Sequence, residues 1–229
     1  MSNLLIVPAA GIGRRLGRSE PKALAPLEGR PMIEWTLDAL LGLPFARAVV
    51  AVPGGREADF EAVVSGRAGV IAGGETRASS VRLAFHSLDP SDADLVCIHD
   101  AARPLASAAE ARSVLEAAAR TGAAIAAMPI ADTVKRVRSD YVVETVDRSS
   151  LFAAGTPQVF RADLLRRALA AGDEATDEAS LLERLGIPVA VVEVSRLGFK
   201  ITTSEDLEMA EALLRSRKTG IGEREKGRT

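Results

Sequence analysis

Near the start of the chain, three cations follow a run of small residues. Pro8-Ala9-Ala10-Gly11-Ile12-Gly13-Arg14-Arg15-Leu16 succeeds the apolar segment Leu4-Leu5-Ile6-Val7, and Pro21-Lys22 comes shortly after. Glycines let backbone N–H groups approach an anion, and Arg14, Arg15 and Lys22 would offset the charge that develops on a phosphorus centre, so the stretch reads as a polyphosphate cradle. The plainer alternative is a glycine-rich strand-to-helix turn with surface arginines. The dinucleotide-binding pattern needs a small residue where Leu16 stands, and the P-loop needs a closing Gly-Lys-Ser/Thr that this chain lacks. What remains suits a nucleoside triphosphate attacked at its α-phosphate.

A second group is His99-Asp100-Ala101-Ala102-Arg103-Pro104, directly after the apolar run Leu95–Ile98. A carboxylate at a strand's end beside a phosphate loop is where Mg²⁺ would be held, since that ion takes one or two carboxylates together with phosphate oxygens. Otherwise Asp100 caps the following turn and pairs with Arg103. His99 is assigned to structure, because one Cys and two His cannot build a zinc site. Gly73-Gly74-Glu75-Thr76-Arg77-Ala78-Ser79-Ser80 could read a nucleobase through backbone groups and a serine hydroxyl, or could simply be an N-capped helix start with solvent-facing serines. Farther on, Asp147-Arg148, Thr156-Pro157-Gln158, Thr176-Asp177-Glu178 and Lys200-Ile201-Thr202 offer cations and hydroxyls suited to a second phosphate. No Ser-His-Asp or Cys-His pairing points to a covalent nucleophile.

These segments need a scaffold. Short apolar runs at Leu4–Val7, Ala48–Val52, Gly69–Ala72, Leu95–Ile98, Ala123–Met128 and Val189–Val194 read as buried strands. Amphipathic stretches lie between them: one opened by Pro31, one from Thr76 to Leu88, and one from Ser107 to Arg120. This alternation predicts a Rossmann-like, three-layer α/β/α domain over residues 1–216 with a mostly parallel, mixed sheet. Ligands would sit beyond the carboxyl ends of the strands, where the segments after Val7, Ala72 and Ile98 meet. Residues 132–147 break the rhythm as two alternating β-rich runs around Ser139-Asp140. They read as a protruding hairpin that packs on a second subunit, or else as an exposed edge. Residues 217–229 are charged, lack periodicity and read as a disordered tail.

With a net charge of −2 the chain has no general attraction for nucleic acid, so a small polyanion is the better partner. The single cysteine, Cys97, rules out an intrachain disulfide and suits a reducing cytoplasm; neither a signal peptide nor a membrane span is visible.

The ordered set Pro8-Ala-Ala-Gly-x-Gly-Arg-Arg, Pro21-Lys22, Gly73-Gly74-x-x-Arg77-x-x-Ser80, His99-Asp-Ala-Ala-Arg-Pro104, Asp132-Thr133-x-Lys135, Asp147-Arg148, Thr156-Pro-Gln158, Thr176-Asp-Glu-Ala179 and Lys200-Ile-Thr202 resembles the 2-C-methyl-D-erythritol 4-phosphate cytidylyltransferase family, from Leu4 to about Leu214. The resemblance implies attack of the sugar phosphate on the α-phosphorus of CTP, with Mg²⁺ as cofactor. Arg15 and Lys22 take the positions that stabilise the transition state, and Arg148 and Lys200 are counted with them. Asp100 takes the metal position. Ala9, Ala10, Gly11, Gly13, Lys22, Gly74, Ser80, Asp100 and Ala101 fall on the nucleotide side. Arg103, Thr133, Arg148, Thr156, Thr176 and Lys200 fall around the acceptor. It further implies a homodimer whose hairpin arm carries Thr133 and Arg148 into the partner's pocket. Relatives place an acidic residue and an Asn before the last lysine where this chain has Leu197-Gly198, and Gln where it has Ala23. The rival readings are a ribitol 5-phosphate cytidylyltransferase and a catalytically silent nucleotide-binding module.

Overall fold

The computed structural model describes residues 2–11, 13, 20–92, 94–171 and 175–218. Its element order begins β1 (Asn3–Pro8), β2 (Pro26–Leu27), β3 (Arg30–Pro31), α1 (Met32–Leu40), β4 (Phe45–Val52), α2 (Glu57–Val64), β5 (Gly69–Ala72), α3 (Arg77–Leu88) and β6 (Leu95–Ile98). It continues α4 (Ala108–Thr121), β7 (Ala123–Pro129), β8 (Val134–Arg138), β9 (Tyr141–Val146), β10 (Phe152–Arg161), α5 (Ala162–Ala170), α6 (Glu178–Arg184), β11 (Ala190–Glu193) and α7 (Ser204–Lys218). Seven strands form one sheet in the order β11-β7-β10-β6-β1-β4-β5. All run parallel except β10, which is antiparallel to both neighbours.

Side chains alternate across a strand, and here both faces are apolar. Leu5, Val7, Val50, Val52 and Cys97 point to one core, where Ile33 and Leu37 of α1, Phe60 of α2 and Val114 of α4 meet them. Leu4, Ile6, Val49, Ala51, Val96 and Ile98 point to the other, against Val81 and Phe85 of α3, Leu165 of α5 and Leu182 of α6. This two-sided burial explains why the strands read as continuous apolar runs rather than alternating ones. The helices carry matching stripes. In α4, Ala111, Val114, Leu115 and Ala118 follow helical spacing, Ser107 caps the start by accepting from the Glu110 N–H at 3.5 Å, and Gly122 closes the end at φ 86°.

From β1 the chain winds outward through β4 and β5, then returns along the opposite face through α3 to β6 on the other side of β1. The winding reverses between β1 and β6, and their carboxyl ends bound a crevice at that switch point. A third cluster, built from Ala25, Leu27, Met32, Leu105, Ile201, Ala210 and Leu214, fastens the β2–β3 ribbon and α7 beside it.

Strand β10 lies outside the predicted strands. Gly155 and Pro157 interrupt its pattern, and the sheet absorbs them where the pairing with β7 shifts register between Ala154 and Gln158. The paired β8 and β9 occupy the segment read as a hairpin, with turn residues Ser139 and Asp140 at positive φ. Val137, Tyr141, Val142 and Val143 are all more than half exposed there. The last helix runs through Lys218, past the position where the tail was expected to begin; residues 219–229 lie outside the described residues. Among the described residues no helix is long and apolar enough to cross a membrane.

Candidate active site

A cavity of about 220 Å³ opens at the switch point. The segment after β1 supplies Ala9, Ala10 and Gly11 to its wall, with Ala9 fixed by its N–H to the Ala51 carbonyl at 2.7 Å. Lys22 enters from the far end of that segment. Its N–H donates to Gly11 O at 3.2 Å, and a short 3₁₀ turn over Lys22–Leu24 begins with it. Gly13 lies behind Lys22; a Cβ there would approach the Lys22 Cβ to 3.6 Å. Arg14 and Arg15 lie outside the described residues.

The opposite wall is the end of β5 and the first turn of α3. Thr76 accepts from the Ser79 N–H at 3.1 Å, forming a capping box with Ser79, so the expected capped helix start is present. Ser80 is nonetheless buried and part of the cavity, its hydroxyl accepting from Gly74 N–H at 3.1 Å and donating to Thr76 O at 2.9 Å. Gly73 is required by close approach: a Cβ would stand 2.8 Å from Ser80 Oγ and 3.1 Å from Val52 O.

Asp100 forms the floor, 6% exposed. Its Oδ1 accepts from Arg77 Nε at 2.9 Å and its Oδ2 from Lys200 Nζ at 2.7 Å. Burial alone would raise its pKa; the charges of Arg77 and Lys200 overcome that and hold the carboxyl well below the usual carboxylate range. The pairing with Arg103 anticipated as an alternative is replaced by these two cations. Arg103 instead turns to the Gly198 carbonyl at 3.0 Å. Ala101 and Ala102 complete the floor with side chains small enough to leave space.

Behind the floor, hydrogen bonds fix the Asp100 backbone. Thr156 Oγ1 accepts from Asp100 N–H at 3.1 Å and lies 3.2 Å from His99 Nδ1, while His99 Nε2 lies 3.2 Å from Arg103 O. A carbonyl can only accept, so Nε2 carries the proton and Nδ1 accepts from the Thr156 hydroxyl. His99 is fully buried, and desolvation pushes its pKa down to about 4, in agreement with a structural role. The folded chain thus refuses a proton that the unfolded chain accepts below about pH 6.5. Stability is expected to be insensitive to His99 above that pH and to fall by up to roughly 3 kcal/mol as pH drops toward 4. Urea unfolding at about pH 7 and about pH 4.5 checks this, with His99→Gln losing its share of the difference. A variant with the wild-type pH dependence would exclude His99 as the cause.

The structure therefore gathers Ala9, Ala10, Gly11, Lys22, Gly74, Ser80, Asp100, Ala101 and Lys200 on one cavity. Arg103 and Thr156 border a small neighbouring cleft with Gly155 and Ser195. Thr133, Arg148 and Thr176 are exposed and line neither space within the subunit. Three charged residues were not assigned to the site from sequence: Glu75 and Arg77 on the cavity wall, and Glu178 behind it, both of whose oxygens accept from Arg77 Nη1 at 2.8 Å. Each sits inside a segment that the sequence singles out, Arg77 at a helix start and Glu178 after Thr176-Asp177.

The model of the 2-C-methyl-D-erythritol 4-phosphate cytidylyltransferase family matches residues 4–216. The chain belongs to this family. A cytidylyltransferase of that name from Desulforamulus reducens is 40% identical over 230 residues, covering 95% of this chain and 98% of the relative. One from Nocardia farcinica is 44% identical over 218 residues, with 93% and 94% covered. The crystal structure of the family's Thermus thermophilus member superposes with a TM-score of 0.80 at 39% identity, covering 94% of this chain and 100% of that one.

Proposed function

We propose that the chain is a 2-C-methyl-D-erythritol 4-phosphate cytidylyltransferase of isoprenoid precursor biosynthesis, acting in the cytoplasm. A phosphate oxygen of the acceptor forms a bond to the α-phosphorus of CTP, the bond from that phosphorus to the β-phosphate oxygen breaks, and pyrophosphate leaves with the electron pair. The observation that carries this reading is the meeting of Lys22, Lys200 and the ionised Asp100 on a cavity walled by Ala9, Ala10, Gly11 and Gly74. Such a cavity admits a triphosphate close to backbone N–H groups and places cations where phosphoryl charge grows.

Lys22 and Arg15 are assigned to the transition state, Arg15 by its place in the family motif. Ser80, Gly74 and the small residues after β1 are assigned to CTP. Arg103, Thr156, Thr176 and Lys200 are assigned to the acceptor, with Thr133 and Arg148 reaching it across a dimer. The acceptor phosphate is already ionised near neutral pH, so no side chain need act as base.

The residues fit Mg²⁺. Asp100 is an anionic carboxylate on the open cavity, and the described residues contain no group of three His, Cys, Asp or Glu that would build an all-protein metal cage. Asp100 would hold the ion, with Lys200, the more exposed of its two partners, giving way. When bound, the ion supplies divalent charge to the phosphate oxygens.

Pyrophosphate release with CTP, Mg²⁺ and each acceptor tests the assignment. Turnover confined to 2-C-methyl-D-erythritol 4-phosphate is expected. A preference for ribitol 5-phosphate would sink the substrate, and no release with either acceptor would leave a silent module as the better account.

The exposed apolar residues of the β8–β9 hairpin support a homodimer built on that arm, since a two-stranded ribbon is marginal when solvated on both faces. Val142→Asp is expected to give a folded monomer by sedimentation and to reduce turnover, because Thr133 and Arg148 no longer reach a neighbouring crevice. An unchanged dimer would move the interface elsewhere.

A further inference from the structure

The acid beneath the cavity, Glu178, is 1% exposed and opens α6. Both of its oxygens accept from Nη1 of Arg77 at 2.8 Å, while Nε of the same guanidinium donates to Asp100 Oδ1 at 2.9 Å. One half-buried cation is thus divided between two carboxylates, only one of which faces the cavity. The division is held in place from several sides. Asp177 accepts from Gln158 Nε2 at 2.7 Å, Gln158 Oε1 accepts from Ala179 N–H at 3.2 Å, and Thr156, two residues before Gln158 on β10, fixes the Asp100 backbone. Residues 177–179 and Asp100 are therefore referred to the same strand.

We propose that Glu178 is a positioning residue that sets how much negative charge Asp100 offers to a divalent cation, by drawing part of Arg77 away from it. With Glu178 ionised, Arg77 has a second counter-ion and Asp100 remains an effective ligand. Without that charge, Arg77 pairs wholly with Asp100 and competes with the cation for Oδ1. Lys200 meets Asp100 from the more exposed side and cannot replace this balance, because Glu178 has no contact with it. The inference rests on the reading of the crevice as a Mg²⁺–CTP site.

The test is the calorimetric affinity for CTP in excess EDTA and in excess Mg²⁺, whose ratio reports the coupling between ion and nucleotide. Partners behind a metal ligand are typically worth 10–100-fold in metal affinity, so Glu178→Gln is expected to lower the ratio by about 10-fold while leaving the EDTA affinity within about 3-fold. Glu178→Asp, which keeps the charge, is expected to recover most of the loss. A Glu178→Gln protein with a lower melting temperature but the wild-type ratio would overturn the proposal and leave a purely structural ion pair.

If Glu178→Gln does not fold, the double variant Arg77→Met/Glu178→Met removes both charges of the pair, a replacement that folds commonly tolerate. Freed of Arg77, Asp100 is expected to raise the ratio several-fold above wild type; an unchanged or lower ratio overturns the proposal. A wild-type protein whose CTP affinity ignores Mg²⁺ would overturn it as well. Normal Mg²⁺–CTP coupling without transfer to any acceptor would instead defeat the proposed reaction alone.

Discussion

Lys22→Ala is expected to fold normally and to turn over about 10²–10³-fold more slowly than wild type. The backbone here is fixed independently of the ammonium. Lys22 N–H reaches Gly11 O at 3.2 Å, Ala25 N–H reaches Lys22 O at 3.0 Å, and the next residue, Ala23, is buried in the core. Truncation therefore removes charge from the cavity wall without releasing the turn. The loss should fall on kcat rather than on the KM for CTP, because the phosphorus centre carries more equatorial charge in the transition state than in bound substrate. Steady-state and single-turnover pyrophosphate release, with the melting temperature as a folding control, checks this. Near-normal kcat in a folded Lys22→Ala protein would take Lys22 out of the transition state.

Asp100→Asn should be more severe and should separate binding from chemistry. The amide keeps the shape but cannot carry the charge that Arg77 and Lys200 now neutralise. With the anion gone, these two cations leave the cavity floor strongly positive, so CTP in EDTA should bind at least as tightly as to wild type. Mg²⁺-dependent turnover should fall by about 10³-fold, the equivalent of the several kcal/mol that a divalent ion contributes to phosphoryl charge stabilisation. Arg77 retains Glu178 and Arg103 retains the Gly198 carbonyl, so both guanidiniums keep a hydrogen-bonded partner and the fold should survive. Weaker CTP binding in EDTA, or turnover within a few-fold of wild type, would contradict this account of the floor.

The parts of this site that were legible in the sequence are those dictated by strand ends. Leu4–Val7 and Leu95–Ile98 are apolar throughout because both faces of the sheet are covered, so the ends of β1 and β6 could be located, and with them Ala9 to Gly11 and Asp100. The start of α3 was legible through Thr76, whose hydroxyl caps the helix. Other parts obey rules that no local pattern encodes. The Arg77–Glu178 pair joins residues 101 positions apart, brought together because α3 and α6 cover the same face of the sheet. Gly155 and Pro157 argue against a central strand, and β10 is central all the same because a register shift takes up the missing donor. For Asp100 the sequence offers only its neighbour Arg103 as an alternative ion-pair partner, whereas its partners come from positions 77 and 200.

The single reversed strand has a further effect on the architecture. Pro129 of β7 is paired with Phe152 of β10, and Ile130 N–H donates to Leu151 O at 3.3 Å, so the chain leaves and re-enters the sheet at the same rung. A parallel β10 would have forced residues 130–151 to travel the length of the domain as a crossover. Because it is antiparallel, those residues form a closed excursion at the edge where the crevice lies. Closing a longer or shorter excursion changes the free energy only logarithmically with length. The arm can therefore be lengthened, shortened or redecorated with little effect on the sheet, so its reach can vary independently of the floor of the crevice.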